Sequence, residues 1–271
     1  MTETFRDALG NAFACADDAR IVSLVPSITE TLIDLGLREC VVGRTGFCIH
    51  PREAVAEIPK VGGTKDVKLD VLRRLRPSHA IVNIDENEAP TVERLREFVP
   101  HVVVTHPNGP ADNLALYRLL GGIFGRRDAA ESLCAQLQAQ LKRLAAADWP
   151  HEAVLYLIWK DPWMTVASDT YIACTLAALG WQVPHGKGGL SGAARYPQLP
   201  DLDAEIARVE RVLLSTEPYM FREQHVVELH GRFPGKPVDL IDGEWVSWYG
   251  SRAIGALARL AEFRRARLSG T

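Results

Sequence analysis

The sequence predicts an α/β protein made of two α/β lobes with mostly parallel sheets, joined by a single long backbone helix. Three observations predict this fold class. Short apolar runs alternate with helical patterns in both halves of the chain, which is typical of parallel sheets covered by helices. The order of the elements is alike in the two halves. Between them, residues 127–147 form the longest helical pattern without glycine or proline. The predicted domains are an N-terminal lobe over 20–108, a helical connector over 109–149 and a C-terminal lobe over 150–271.

The N-terminal lobe begins with the apolar run 20–25, which is typical of a buried strand. Ser27 is predicted to be the N-cap of the next helix, and Glu30 completes a capping box with it. This helix, 28–35, is expected to end at Gly36, because glycine readily adopts the left-handed conformation that follows a helix. The remaining elements predicted in this lobe are strand 41–44, helix 69–74, strand 80–84, helix 89–98 and strand 101–105.

The connector holds two predicted helices, 111–123 and 127–147. Pro150 ends the second pattern, since proline cannot continue a helix. The C-terminal lobe then resumes the alternation of strands and helices. Its segment 184–200 carries several glycines and is predicted to be a loop. The elements predicted here are strands 153–158, 209–215 and 237–241 and helices 170–179, 201–207, 222–232 and 251–268.

Composition excludes several classes of function. The formal net charge of −3 gives no electrostatic basis for binding nucleic acid. No apolar run approaches the ~20 residues that a membrane-spanning helix needs, so no membrane insertion is expected. The sequence has no phosphate-binding loop and no nucleophile with a motif-placed base, and we therefore predict no catalytic residue and no enzyme. The five cysteines are scattered and are expected to be free thiols, and the protein is expected to be a monomer.

The start of the chain carries no recognisable export signal. Residues 1–19 lack the basic segment and the unbroken apolar stretch of a secretory leader. We expect them to form a loosely ordered terminal arm. On this evidence a cytoplasmic location stays open.

Two groups of aromatic residues follow predicted strands of the C-terminal lobe. Trp159 and Trp163 come directly after strand 153–158, and the second group follows strand 237–241. Ligands of open α/β sheets bind beyond the carboxyl ends of the strands. The two groups are therefore predicted to form two walls of one cleft, although core packing is the alternative. The second group consists of Trp245, Trp248 and Tyr249.

Other candidates for ligand contact follow further strands or lie in the glycine-rich loop. Glu217 would accept a hydrogen bond from a ligand amide or oppose a cation, unless it serves only as a carboxylate at a helix N-terminus. Arg252 would reach an anionic group or point to solvent. His50 and His106 are weak candidates for metal ligation, because no two histidines show a compact spacing, and the metal site is left undetermined. The predicted ligand-binding residues are Phe47, His50, Trp159, Trp163, Tyr196, Glu217, Tyr219, Trp245, Trp248, Tyr249 and Arg252.

Two segments of the N-terminal lobe carry a family resemblance. Residues 20–30 read Arg-Ile-Val-Ser-Leu-Val-Pro-Ser-Ile-Thr-Glu. Residues 61–65 read Val-Gly-Gly-Thr-Lys and precede a leucine-rich stretch that ends in Arg76-Pro77. Both resemble segments of the class III periplasmic binding proteins, also called helical-backbone metal receptors. Ser78 stands where that family usually has Asp.

The resemblance extends over roughly residues 20–265. The predicted helix 127–147 lies where the family has its backbone helix. Tyr196-Pro197 lies where the cobalamin-binding branch places an aromatic–proline pair that lines the cleft. The family includes the cobalamin, haem and ferric-siderophore receptors of ABC importers.

The resemblance implies a periplasmic substrate-binding protein that captures a metal chelate in an interlobe cleft for an ABC importer and its permease. A cobalamin-type corrinoid is the first expected ligand, and a ferric siderophore or haem is the second. No intrinsic cofactor is implied, because the chelate is the cargo. The alternative is a cytoplasmic tetrapyrrole- or metal-handling protein or enzyme on the same fold. A second alternative is a receptor for a bare metal ion that uses His50 and His106.

Overall fold

The computed structural model describes residues 3–189 and 192–269, and the chain divides into two compact units. Both are α/β lobes built on a parallel sheet, which confirms the predicted fold class. The predicted connector is divided between the two units. The first unit consists of Met1–Pro107, Ala111–Gln138 and Tyr249–Arg252, and the second of Asn108–Pro110, Ala139–Trp248 and Ala253–Thr271.

The first unit is built on a four-stranded sheet in the order β4-β3-β5-β6, in which every pair is parallel. Its strands are nearly continuous apolar runs because helices or loops cover both faces. The strands are β1 (Phe5–Arg6), β2 (Ala12–Phe13), β3 (Ile21–Ser23), β4 (Val41–Arg44), β5 (His79–Asn83) and β6 (His101–Thr105). The helices are α1 (Pro26–Asp34), α2 (Arg52–Val55), α3 (Leu69–Leu75), α4 (Ala89–Arg96) and α5 (Asn113–Ile123), with 3₁₀ turns at Arg38–Cys40 and Pro110–Asp112.

The first turn of α1 differs from the prediction. The helix begins at Pro26 with Val25 as N-cap, and no side chain caps it. Proline suits this position because its fixed φ is already helical and it has no N–H to satisfy. Ser27 therefore lies inside the first turn, and the predicted capping box with Glu30 is wrong. The Glu30 carboxylate instead forms a bidentate ion pair with Arg252.

Residues 3–19 of the N-terminal arm are ordered, so the expectation of a loose arm is wrong for this described part. Strands β1 and β2 pair antiparallel around a turn at Asp7. The Asp7 carboxylate accepts hydrogen bonds from the backbone N–H groups of Leu9 and Asn11, the typical use of aspartate in a turn. It also accepts one from the N–H of Val104 in β6, which ties the hairpin to the edge of the sheet.

The second unit has a four-stranded parallel sheet in the order β10-β9-β7-β8. Its strands are β7 (Glu152–Leu157), β8 (Trp181–Gln182), β9 (Arg211–Ser215) and β10 (Val238–Ile241). Its helices are α7 (Tyr171–Ala177), α8 (Leu202–Ala207), α9 (Glu223–Arg232), α10 (Gly243–Ser247) and α11 (Arg252–Ser269), with a 3₁₀ turn at Ala193–Arg195. Helix α11 lies in this unit from Ala253 onward.

Helix α6 (Arg127–Ala145) is the predicted backbone helix, and it runs from the first unit into the second. Its end is closed by the Trp149 indole, whose Nε1 donates to the Leu144 carbonyl at 3.0 Å. Pro150 follows, as the sequence predicts.

An ionic network holds the amino-terminal edge of the second sheet. The Glu152 carboxylate accepts from the Trp181 indole at 2.8 Å and from Arg211 Nε at 2.9 Å, and it also pairs with Arg264 of α11. Arg211 pairs in addition with Asp239 of β10. Burial raises the pKa of the Glu152 carboxyl, but the Trp181 hydrogen bond and the two arginines outweigh it, and the net pKa is lowered.

Candidate functional site

The aromatic residues of the second unit follow three strands that are neighbours in its sheet. Strands β7, β9 and β10 are adjacent and parallel, so the segments after them leave the sheet at the same edge. This is the edge at which open α/β sheets bind ligands. The three segments are 158–164, 216–221 and α10.

Trp159 opens a tight hairpin loop after β7. The Met164 N–H donates to the Trp159 carbonyl at 3.2 Å, and the Ile158 N–H donates to the Met164 carbonyl at 3.0 Å. Asp161, within the loop, has φ +61°, a left-handed conformation that aspartate tolerates. The Trp159 side chain stays 40 % exposed and meets the Tyr219 ring edge-on, with centroids 5.6 Å apart.

Trp163 packs in a different environment from Trp159. Its ring stacks on Phe221 with centroids 6.0 Å apart and planes 7° apart. Phe221 belongs to the buried core of the second unit, against which Trp163 packs. The Lys160 ammonium lies 5.4 Å from the centre of the Trp163 ring and also pairs with Glu228. Trp163 is therefore in contact with both a core ring and a charged side chain.

The glycine-rich loop returns along the segment that carries both tryptophans. Residues 195–199 pair antiparallel with residues 163–167. Three backbone hydrogen bonds define this register: Thr165 N–H to Pro197 O, Ala167 N–H to Arg195 O and Leu199 N–H to Trp163 O.

This register decides which aromatic side chains share a face. Bridges join Trp159 to Met164 and Met164 to Gln198, and residues opposite each other project to the same side. Tyr196 lies two residues before Gln198, so it projects to that side as well. Trp163 projects to the other side. We call the half-exposed set of Trp159, Met164 and Tyr196 the aromatic face.

Glu217, after β9, is largely enclosed. The Ser247 hydroxyl of α10 donates to its carboxylate. Burial raises the pKa of the Glu217 carboxyl, and the Ser247 hydrogen bond acts in the opposite direction. A Cβ added at Gly243 would lie 2.5 Å from Glu217 Cγ, so α10 packs directly against this side chain.

The second predicted aromatic group is divided between the units. Trp245 is half-buried, with the Arg259 guanidinium 5.7 Å from its ring centre, and Trp248 is buried. Tyr249 belongs to the first unit, where its hydroxyl donates to Glu86 at 2.6 Å. Burial and the adjacent carboxylate raise the pKa of the Tyr249 hydroxyl. Arg252 also lies in the first unit, in the ion pair with Glu30.

In the first unit, Phe47 is 62 % exposed and Ile49 is 51 % exposed in the segment after β4. His50 follows them and is half-buried. His106, after β6, lies with its Nε2 3.6 Å from Asp85. Within residues 3–189 and 192–269, no three or more His, Cys, Asp or Glu side chains are grouped to hold a metal ion. The roles of His50 and His106 as metal ligands stay predictions.

A family model described as periplasmic binding protein matches residues 21–194 of the chain. The chain belongs to the periplasmic binding protein family. This membership confirms the resemblance drawn from the sequence. Members of the family are substrate-binding proteins and not enzymes, so this periplasmic binding protein is not an enzyme. The family is normally periplasmic. In the described ranges, none of the helices combines the length and hydropathy needed to cross a membrane.

The similar proteins include binding proteins of two kinds. The chain is 22 % identical to a vitamin B12-binding protein of Vibrio vulnificus (strain CMCP6), over 90 % of this chain and 89 % of the relative. Its fold is similar to the periplasmic vitamin B12 binding protein BtuF of Vibrio cholerae, with TM-score 0.75, 16 % identity and coverage of 92 % and 98 % of the two chains. It is equally similar to the periplasmic haem-binding protein RhuT from Roseiflexus sp. RS-1, with TM-score 0.75, 21 % identity and coverage of 91 % and 98 %.

The sequence alone does not identify every residue of the candidate site in this periplasmic binding protein. Met164 joins the aromatic face through its bridges to Trp159 and to the distant Gln198. Ile49 is exposed beside Phe47, but a lone isoleucine carries no signal in a sequence. Asp169 and Arg195, which hold the glycine-rich loop, belong to no motif. Asp169 lies well before the glycine-rich segment 184–200 and Arg195 lies within it, so no local pattern links the two.

Proposed function

We propose that the protein binds a metal chelate, with a cobalamin-type corrinoid as first candidate and haem or a ferric siderophore as second, and delivers it to an ABC importer. The observation that carries this proposal is the aromatic face at the carboxyl edge of the second sheet. Membership of the periplasmic binding protein family supports it. The vitamin B12-binding relative of Vibrio vulnificus supports the corrinoid, and the similar haem-binding fold keeps haem as a candidate.

The aromatic face suits a bulky chelate for physical reasons. Trp159 and Tyr196 present broad rings with few rotatable bonds, so ordering them on binding costs little entropy. Covering apolar surface contributes roughly 25 cal/mol per Å², and about 100 Å² from these rings would contribute about 2.5 kcal/mol. Tyr219 supports Trp159 edge-on and limits its motion. Trp163 is assigned a supporting role, because its ring already stacks on Phe221 and lies near the Lys160 ammonium.

Other predicted residues take different roles in this proposal. Phe47 contributes apolar surface from the first unit. Its ring lies against Gly63, where an added Cβ would be 3.3 Å from Phe47 Cε2. Glu217 offers a carboxylate enclosed by α10, suited to accept a hydrogen bond from a ligand amide. Tyr249 and Arg252 serve to anchor the segment between α10 and α11 within the first unit. The interlobe position of the site stays a prediction, as do the permease partner and a periplasmic location.

Titration of the purified protein with cyanocobalamin, haemin, ferrichrome and zinc chloride tests the proposal. All six tryptophans lie in the second unit, so their emission reports on that unit. We expect saturable quenching by at least one chelate and none by zinc. Calorimetry with the same ligands separates binding from optical absorption by the chelate. Zinc binding without chelate binding would favour the bare-metal receptor, and absence of all binding would overturn the proposal.

A matched pair of variants locates the site. Trp149 precedes β7 and Trp159 follows it, so the two lie at opposite ends of one strand. Trp159→Ala is expected to raise the Kd for the bound chelate roughly tenfold or more, because it removes apolar contact area. Trp149→Ala is expected to leave the Kd unchanged. Equal effects of the two variants would show that the aromatic face is not the binding surface.

A further inference from the structure

Arg195 is a fully buried cation that joins three segments of the second unit. Its guanidinium donates to the Gly189 carbonyl at 2.8 Å, to the Asp169 carbonyl at 3.3 Å and to Asn108 Oδ1 at 2.7 Å. Only 1 % of its side chain is exposed. Burial of a charge is tolerated where hydrogen bonds compensate it. The planar guanidinium, with donors in several fixed directions, can serve three acceptors at once.

Asp169 holds the same loop from the other side. Its carboxylate accepts from the Gly188 N–H at 2.8 Å and from the Gly189 N–H at 3.1 Å. Burial raises the pKa of the Asp169 carboxyl, but these two N–H groups outweigh it and the net pKa is lowered. Gly189 is therefore held at both its N–H and its carbonyl, and we call Asp169 and Arg195 the loop clasp.

The loop clasp is adjacent to a residue of the aromatic face. Arg195 directly precedes Tyr196, and the Arg195 carbonyl accepts from the Ala167 N–H at 2.8 Å. A Cβ added at Gly188 would lie 2.5 Å from Arg195 Cα, so the loop backbone packs directly on the backbone that carries Tyr196. Glycines have no side chains with which to fix a loop, and Gly188 and Gly189 are held instead by hydrogen bonds with the clasp.

We propose that Asp169 and Arg195 are positioning residues that preorganise Tyr196 for ligand contact. The inference rests on the proposed function, because it gives Tyr196 a ligand to contact. A ring held in its binding orientation loses less entropy on association than a ring on a free loop. The loop clasp therefore affects the affinity for the chelate by holding Tyr196 in place, and not by contacting the chelate itself.

A double-mutant cycle tests this role, using the chelate among cyanocobalamin, haemin and ferrichrome that binds the parent protein most tightly. Arg195→Lys keeps the charge and removes the planar fork. We expect it to raise the Kd about tenfold in the parent, and less than twofold in a Tyr196→Ala background. A merely structural role predicts the same factor in both backgrounds, and that result would overturn the inference. Circular dichroism verifies that each variant folds.

Two glycines provide a second and independent comparison. Gly188→Ala places a methyl group against Arg195 and is expected to raise the Kd about tenfold, again only when Tyr196 is present. Gly186→Ala meets no atom within 4 Å, and its effect on the Kd is expected to be less than twofold. Equal effects of the two substitutions would count against the clasp. If Arg195→Lys fails to fold, Asp169→Asn takes its place in the cycle.

The two hypotheses fail in different ways. If the parent protein binds none of the three chelates, the proposed function is overturned and the binding role of the clasp falls with it. If the parent binds and the cycle is additive, the proposed function stands and only the clasp is rejected.

Discussion

Trp163 and Phe221 stack with their planes 7° apart, so the indole that follows β7 extends the core of the second unit. Trp159, four residues earlier, instead belongs to the aromatic face. Two tryptophans that look equivalent in the sequence therefore lie in different environments, and we propose separate roles for them, one in stability and one in recognition.

Substitution of each tryptophan by alanine should separate these roles. Trp163→Ala removes a ring stacked on the core and should lower the free energy of unfolding by about 3 kcal/mol. Trp159→Ala removes a ring that is 40 % exposed and should lower it by about 1 kcal/mol or less, while it weakens chelate binding. Urea unfolding followed by circular dichroism measures the first effect and calorimetry the second. The reverse order of stability losses would contradict the assignment.

The fold is largely predictable because its signals are local. Parallel strands covered on both faces leave continuous apolar runs, and these identify the main strands of both sheets. The absence of glycine and proline identifies α6, whose observed end at Ala145 lies close to the predicted one. The location of Trp159 at the carboxyl end of β7 follows from the same pattern.

The parts that escape prediction depend on contacts between distant residues. Tyr249 meets Glu86 across 163 positions of sequence, and Arg252 meets Glu30 across 222. No local pattern signals either pair. The division between Trp159 and Trp163 likewise depends on pairing with residues 195–199. The N-terminal arm is ordered through the contact of Asp7 with β6, which its own composition does not reveal.

Gly250 is expected to be irreplaceable in the first unit. Its φ is +79°, and an added Cβ would lie 2.1 Å from Thr31 Oγ1, which accepts from the Ser251 N–H. Gly250→Ala should therefore lower the free energy of unfolding by about 3 kcal/mol, through backbone strain and steric clash together. Circular dichroism measures this loss, since the tryptophans lie in the other unit.

Gly36 is the matched control for this substitution. Its φ of +76° is nearly the same, but an added Cβ meets no atom within 4 Å. Gly36→Ala should cost only the backbone strain, about 1 kcal/mol. Equal losses at Gly36 and Gly250 would show that the close approach to Thr31 contributes nothing.

The Glu152 network should be a main source of stability in the second unit. Glu152→Gln removes the charge that compensates Arg211 and Arg264, and breaking such a partly buried network should cost about 3 kcal/mol. Because the folded pKa of Glu152 is lowered, its contribution is present above its ordinary pKa and is lost as the pH falls. Tryptophan emission during urea unfolding measures the effect.

Glu131 provides the control for this variant. It pairs with Arg118 on the surface, where both side chains are at least half exposed. Glu131→Gln should change the free energy of unfolding much less than Glu152→Gln does, because solvent screens an exposed ion pair. A loss at Glu131 as large as that at Glu152 would indicate that burial of the network does not matter.

His79 should make the first unit sensitive to acid. It begins β5, is buried, and stacks on His101 with ring centroids 4.7 Å apart. Burial, and then the charge of a protonated His101, lower the pKa of His79 from 6.5 to about 4. The unfolded chain therefore binds a proton between these two values when the folded protein does not, and stability must fall as the pH drops below about 6.5.

The expected loss from His79 alone between pH 7.5 and pH 5 is about 2 kcal/mol. Urea unfolding followed by circular dichroism at both pH values measures the total loss in the parent. Glutamine does not titrate in this range. The loss of unfolding free energy between pH 7.5 and pH 5 should therefore be about 2 kcal/mol smaller in His79→Gln than in the parent, whatever the stability of the variant at neutral pH. His230 is exposed on α9 of the second unit, and His230→Gln serves as the control for loss of a histidine outside the first unit. An identical pH dependence in the parent and in His79→Gln would mean that the buried imidazole takes up its proton without unfolding the strand.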